Sequence, residues 1–107
     1  MFAETLTAFL LRLRGHRIVA QRYKPPVGEI DLVALRGRRL AFIEVKRRKT
    51  KEDTAWTLPA RQRRSIVRAA QYWLAGHPDF AGHDIAFAVV LAAPFAWPRY
   101  IANAFPL

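Results

Sequence analysis

The 107-residue chain has no cysteine. That excludes disulfides and thiolate metal sites, and it suits a reducing compartment. Acid is scarce as well: 8 Asp+Glu stand against 18 Lys+Arg, a formal net charge of +10. No apolar run reaches the roughly 18 residues that would span a membrane. The opening MFAETLTAFLLRLRG carries an acid near its start, with neither a basic leader nor a small-residue cleavage site. It does not read as a signal peptide, and a cytoplasmic protein without membrane association is expected. Glycines number 5 and form no phosphate-cradling loop, so no nucleotide cofactor is expected. His16, His77 and His83 are scattered beside Gly and Pro with no metal-ligand spacing. No Ser/His/Asp arrangement is evident.

What the chain does have is apolar bulk and arginine. About 52% of residues are apolar, enough for a small core in one domain spanning residues 1–107. All but four of the 18 basic residues are Arg. Arginine forks match phosphate oxygens two at a time, so the bias leans toward nucleic acid. A GC-rich genome would explain the choice of Arg over Lys, but not the imbalance of sign.

Periodicity organises the chain. Residues 2–14 predict a helix with an apolar stripe of Phe2, Leu6, Phe9, Leu10 and Leu13. Ala8 and Leu11 give it a second apolar strip that also carries Glu4, so packing on two sides is expected. Gly15 ends it. Residues 17–23 predict a short strand, broken by Lys24-Pro25-Pro26. Residues 28–35 and 39–46 predict two strong strands around an Arg36-Gly37-Arg38 turn. Residues 47–57 read as a polar loop. Pro59 suits the first turn of a helix reaching about Leu74. That helix would turn Ile66, Val67, Ala70, Trp73 and Leu74 to the core and set Arg61, Arg64 and Arg68 along another side. Residues 84–92, DIAFAVVLA, read as a strand buried on both faces, and 99–102 as a last short one. The order implies a mixed α/β sandwich around one sheet.

Within GEIDLVALRGRRLAFIEVKRR, three of the few carboxylates sit among apolar strand residues. Strand side chains alternate, so Glu29 and Asp31 share one face, as do Glu44 and Lys46. A hairpin around Gly37 would bring these four to one side and leave Ile30, Leu32, Ile43 and Val45 on the other. Buried unpaired charge costs several kcal/mol, and neighbouring carboxylates raise each other's pKa. Lys46 offsets one of them; a divalent cation offsets both. Mg²⁺ (or Mn²⁺) suits Asp31, Glu44 and the Val45 carbonyl, with water completing its shell. Such a cation would hold a phosphate oxygen. Against this stands a blander reading. Inward charges on edge strands block aggregation, and Glu44–Lys46 as a surface pair would contribute under about 1 kcal/mol. Glu29, after Gly28 at the strand start, is the weakest member.

Asp31, twelve intervening residues and Glu44-Val45-Lys46 resemble the core motif of the PD-(D/E)XK, restriction endonuclease-like nucleases. GEIDLVA, LAFIEVKRR, Glu4 with Gly15, RQRRSIVRAAQYWL and RYIANAF together resemble, over nearly the whole chain, the small uncharacterised YraN-type family. That family in turn resembles archaeal Holliday junction resolvases. The resemblance implies a restriction endonuclease-like three-layer α/β/α sandwich with a central mixed sheet. It implies metal-dependent hydrolysis of DNA phosphodiesters, leaving a 5′-phosphate and a 3′-hydroxyl. Asp31 and Glu44 match the metal-binding acids, Lys46 the lysine that positions or activates water, and Glu4 an added acid from the first helix. Glu4 also fits a plainer role, since a first-turn acid stabilises its helix. One departure is Phe87-Ala88-Val89-Val90, where relatives carry FDVV.

Lys46 is followed by Arg47, Arg48, Lys49 and Lys51, and the next helix opens with Arg61, Arg63, Arg64 and Arg68. A basic rim beside the acids would hold a phosphate backbone without reading base sequence. A solvated loop and helix is the plain alternative. The expected partner is DNA (branched, flap or duplex), with a homodimer needed if junctions are resolved. A non-catalytic nucleic-acid-binding module and a binder of acidic proteins are the rival functions. Trp73 reads as packing, and Trp56 as a loop aromatic able to meet an unstacked base.

Overall fold

Gly37 makes the central hairpin. The computed structural model describes residues 2–105, the side chain of Phe2 excepted. Strand β2 (Ile30–Arg36) turns through Gly37-Arg38 into β3 (Arg39–Arg47), with Arg36 paired to Arg39. Gly37 has φ +60° at the first central position of this two-residue turn, where glycine is favoured. Before the hairpin come α1 (Phe2–Leu13) and β1 (Arg17–Tyr23). After it come α2 (Ala60–Ala75), a single 3₁₀ turn at Pro78–Phe80, β4 (Asp84–Ala92) and β5 (Arg99–Ile101). The sheet runs β1-β2-β3-β4-β5. Only β3 and β4 are parallel, joined by the crossover through α2; every other pair is antiparallel. A helix is the usual way to join parallel neighbours.

The sheet is buried on both faces. Under α2, Val33, Leu40, Phe42, Phe87, Val89 and Leu91 meet Ile66, Ala69, Ala70 and Trp73. Under α1, Leu32, Ala34, Ala41, Ile43, Ala88 and Val90 meet Ala8 and Leu11. The small alanines let α1 lie close. The result is an α/β/α sandwich of the expected kind, and β4 is apolar after the exposed Asp84 because it is covered twice. Trp73 is core packing, edge-on to Phe42 and stacked on His77. Among the described residues, no helix is long and apolar enough to cross a membrane.

Two expectations change. In α1 the buried strip is the second one, Thr7, Ala8 and Leu11, whereas Phe9 and Leu13 are exposed. The helix therefore packs on one side, because the sheet accepts small residues better than the bulky stripe. The Phe2 side chain of that stripe lies outside the described residues. Gly15, with φ +88°, closes the helix through a bond from the His16 amide to the Leu11 carbonyl, a Schellman ending. The second change concerns β2, which begins at Ile30 and leaves Glu29 outside the strand and exposed. Ile30 joins the α2 core while Leu32 packs under α1. Strict alternation thus slips between them, and Ile30 does not share a face with Leu32, Ile43 and Val45.

Gly28 sets that entry into β2. A Cβ there would run into the Ser65 carbonyl of α2. Gly28→Ala is expected to lower unfolding free energy by about 1–3 kcal/mol, as over-packing does. Urea denaturation checks this; unchanged stability would mean the Gly28–Ser65 approach is not tight.

Candidate functional site

Backbone pairing between β2 and β3 stops at Leu32–Ile43, one step short of Asp31 and Glu44. There the Asp31 side chain takes over, and its Oδ2 accepts the Val45 amide at 2.7 Å. The carboxylate is drawn toward the seam of the sheet, where both faces can reach it. Glu4, in the first turn of α1, contacts it from one side. Glu44, on the α2 face of β3, contacts it from the other.

The electrostatics follow. Burial first, then the Asp31 charge and a hydrogen bond shared with it, push the Glu44 carboxyl up to about 8 against the opposing Lys46. The Glu4 carboxyl is also raised, by burial first and then by Asp31, against Arg47 and Lys24. Glu4 and Glu44 thus both lie beside Asp31. A cleft of about 550 Å³ opens on Glu4 and Asp31, lined also by Arg22, Lys24, Glu29 and Ile30.

Lys46 is held on the α2 side. Its Nζ donates to Gln62 Oε1 at 3.0 Å and lies 3.6 Å from Glu44 Oε2. Gln62 Nε2 in turn donates to the same Glu44 oxygen. One amide thus spaces the lysine from the acid. Gln62 was given no role in the sequence, where it is the uncharged residue of RQRR inside the stretch that carries the resemblance. Arg22 was missed too. Its φ of +50° is unusual for a side-chain-bearing residue, and its Nε donates to Glu4 Oε1 at 3.1 Å. An irregularity in β1–β2 pairing at Ile18/Ala20 precedes it. No local pattern announces either feature.

Asp31, Glu44 and the Val45 main chain offer oxygen donors to a hard cation, which would favour the ionised form of Glu44 that burial and Asp31 oppose. The donor set is lean. Among the described residues, no group of three or more His, Cys, Asp or Glu is arranged to hold a metal ion. These donors fit a cation that keeps several waters rather than one fully caged by protein.

Ala88 is elsewhere. It is buried under α1 opposite Ile43, whereas Glu44 and Lys46 project toward α2.

The basic residues divide into three places. Arg47 is exposed at the end of β3, near enough to Glu4 to influence it. Arg48 binds its own loop, donating to the Ala55 and Arg47 carbonyls and lying 3.8 Å from Asp53. Lys49 and Lys51 are exposed on that loop, and Arg61 on α2. Arg63, Arg64 and Arg68 line a groove of about 740 Å³ with Trp56, Leu58, Val67 and Phe105. Within it, Arg63 donates to the Leu58 carbonyl at 2.7 Å.

The fold is restriction endonuclease-like. It is similar to that of Hjc, a Holliday junction resolvase from Archaeoglobus fulgidus, with a TM-score of 0.63 and 22% identity. The match covers 95% of this chain and 74% of that one. At the sequence level, residues 3–92 match the family described as Uncharacterised protein family UPF0102, and the chain belongs to that family. A UPF0102 protein of Parvibaculum lavamentivorans is 52% identical over 102 residues, covering 95% of this chain and 77% of the relative. One from Methylorubrum extorquens is 45% identical over 105 residues, covering 98% and 82%.

A raised carboxyl pKa has a defined sign. The folded state favours protonated Glu44, so this stabilisation is complete below about 4.5 and is lost as pH rises through about 8. In EDTA, the melting temperature is expected to fall across that window. Glu44→Gln, which resembles the protonated acid, is expected to flatten the decline and to melt above the parent at pH 8.5. Parallel melting curves for the two proteins would remove the acid pair as its cause.

Proposed function

We propose that this protein is a metal-dependent endonuclease that hydrolyses DNA phosphodiester bonds, with a preference for branched structure. The reading is carried by the Asp31 carboxylate tied to the β3 backbone between Glu4 and Glu44, with Lys46 held beside them by Gln62. The resolvase-like fold and the surplus of basic residues support it.

Asp31 and Glu44, with the Val45 carbonyl, would hold Mg²⁺ or Mn²⁺. The cation would neutralise charge on the scissile phosphate and assist attack by water. Lys46 would direct a water in line with the leaving oxygen and stabilise charge gathering on the phosphate. Gln62 would be a positioning residue: it bonds both Lys46 and Glu44 Oε2 and leaves Glu44 Oε1 without either of them. Glu4, held by Arg22, would supply a third acid from α1. Arg47, Arg48, Lys49 and Lys51, with Arg61, Arg63, Arg64 and Arg68, would hold flanking phosphates. The products would be a 5′-phosphate and a 3′-hydroxyl. The whole chain would act as one nuclease domain in the cytoplasm, and paired incision of a junction would require a homodimer.

The lean donor set favours a second reading: a nucleic-acid-binding module on the same fold without catalysis. Incubation of labelled four-way junction, flap and duplex DNA with Mg²⁺, Mn²⁺ or EDTA separates the two. Cleavage is expected only with metal, and to vanish in Asp31→Asn. Lys46→Ala is expected to lose about 10²–10⁴-fold in rate, the usual worth of a group that handles the reacting water. Gln62→Ala is expected to lose about 10–100-fold, as outer positioning partners do. Salt-sensitive binding with no cleavage of any substrate, unchanged by Asp31→Asn, would sink the nuclease and leave the module.

A further inference from the structure

The loop between β4 and β5, Ala93-Pro94-Phe95-Ala96-Trp97-Pro98, inverts the usual placement of apolar residues. Phe95 is 107% exposed and Trp97 77%, while the small Ala96 between them is half-buried. Phe95 also has φ +58°, a left-handed backbone that a bulky residue adopts only at a cost. Two prolines frame the aromatic pair.

The loop's position says what covers it. In the parallel pair, Lys46 lies opposite Leu91 and Arg47 opposite Ala92, so the loop starts where β3 leaves the site. The Arg48 amide donates to the Ala92 carbonyl at 2.8 Å. On the returning strand, exposed Arg99 pairs with Leu91. Arginines thus flank both ends of the aromatic tip. An apolar groove of about 330 Å³, formed by Ala3, Leu6, Arg47, Arg48 and Ala92–Pro94, links the loop's base to the first turn of α1, which carries Glu4. Exposed aromatic side chains on a loop whose flanking strand ends carry arginines match a nucleobase between phosphates. A continuous duplex offers no base face to such a tip; a branch point or an unpaired nucleotide does.

We infer that Phe95 and Trp97 form a stacking wedge for unpaired or branch-point bases of DNA, and that this tip supplies the structural preference of the site beside it. The inference rests on the DNA reading of the site but not on catalysis. Binding can therefore be measured in EDTA, where no hydrolysis is expected, with the full chain at one fixed salt concentration. Fluorescently labelled four-way junction and matched duplex would be titrated with the parent, Phe95→Ser, Trp97→Ser and the double variant. The parent is expected to favour the junction about 10-fold or more, a stacking-sized effect. The double variant is expected to bind both DNAs as the parent binds duplex, and each single variant to fall between. With 2-aminopurine at the branch point, fluorescence should change on binding the parent and not the double variant. A parent without junction preference, or a double variant that keeps it, overturns the wedge while leaving the nuclease reading intact. A parent that sediments as a dimer and a double variant that sediments as a monomer also overturns it, making the tip an interface between copies. Failure of the parent to bind any DNA even at low salt overturns the DNA reading and the wedge together.

Discussion

A side-chain carboxylate replaces a rung of the β-ladder where β2 and β3 part. Asp31 Oδ2 takes the Val45 amide at 2.7 Å, just beyond the last paired residues, Leu32 and Ile43. Val45 is in the central strand of the sheet, where an amide without a partner would be costly. The bond therefore serves the sheet as well as the site. It also explains why alternation fails between Ile30 and Leu32. A carboxylate turned to the neighbouring backbone belongs to neither face, so acids from α1 and from the α2 side of β3 can both reach it. Glu4 and Glu44 meet at Asp31 for this reason. Gly28, pressed against Ser65, fixes where the chain enters this turn.

The acids and the bases then play opposite parts. The chain carries +10 overall, yet three carboxylates, Glu4, Asp31 and Glu44, gather at one seam. Long-range positive potential would draw a polyanion, while any negative charge on the seam would repel it at short range. A divalent cation would resolve the conflict, because it would satisfy both the carboxylates and an incoming phosphate. Lys46 cannot do so alone: it is 3.6 Å from Glu44 and shares its proton donors with Gln62, and Glu44 still remains strongly raised.

Much of this was legible in the residues. The hairpin, the doubly covered β4, the Arg-rich helix and the proximity of Asp31, Glu44 and Lys46 follow from periodicity, a turn glycine and spacing. What was not legible depended on choices between near-equal alternatives. In α1, both apolar strips were adequate by pattern; close approach to Ala34, Ala41 and Ala88 decided for Ala8 and Leu11. Glu29 and Asp31 looked equivalent by alternation, but the strand begins after Glu29, and only Asp31 reaches the Val45 amide. Gln62 and Arg22 act through tertiary contacts 18 residues away in sequence, to Glu44 and Glu4 respectively, which no local pattern encodes. Ala88 stood out only as a departure from FDVV, and the register turns it under α1, away from Glu44 and Lys46.

The parallel pairing of β3 with β4 joins the two halves of the functional proposal. Parallel neighbours end at the same edge of a sheet, and ligand sites in α/β folds gather at the carboxyl ends of such strands. Here that edge holds Lys46 and Arg47 on one strand, and Leu91 and Ala92 on the next. The antiparallel return through β5 then adds Arg99 and leaves the aromatic loop projecting from the edge itself. The β3–β4 register therefore sets the spacing between the acids and the aromatic tip. A one-residue slip would also carry Phe87 and Val89 out of the core under α2. The same packing that stabilises the sheet thus keeps the basic rim, the acids and the exposed aromatic tip in fixed relation.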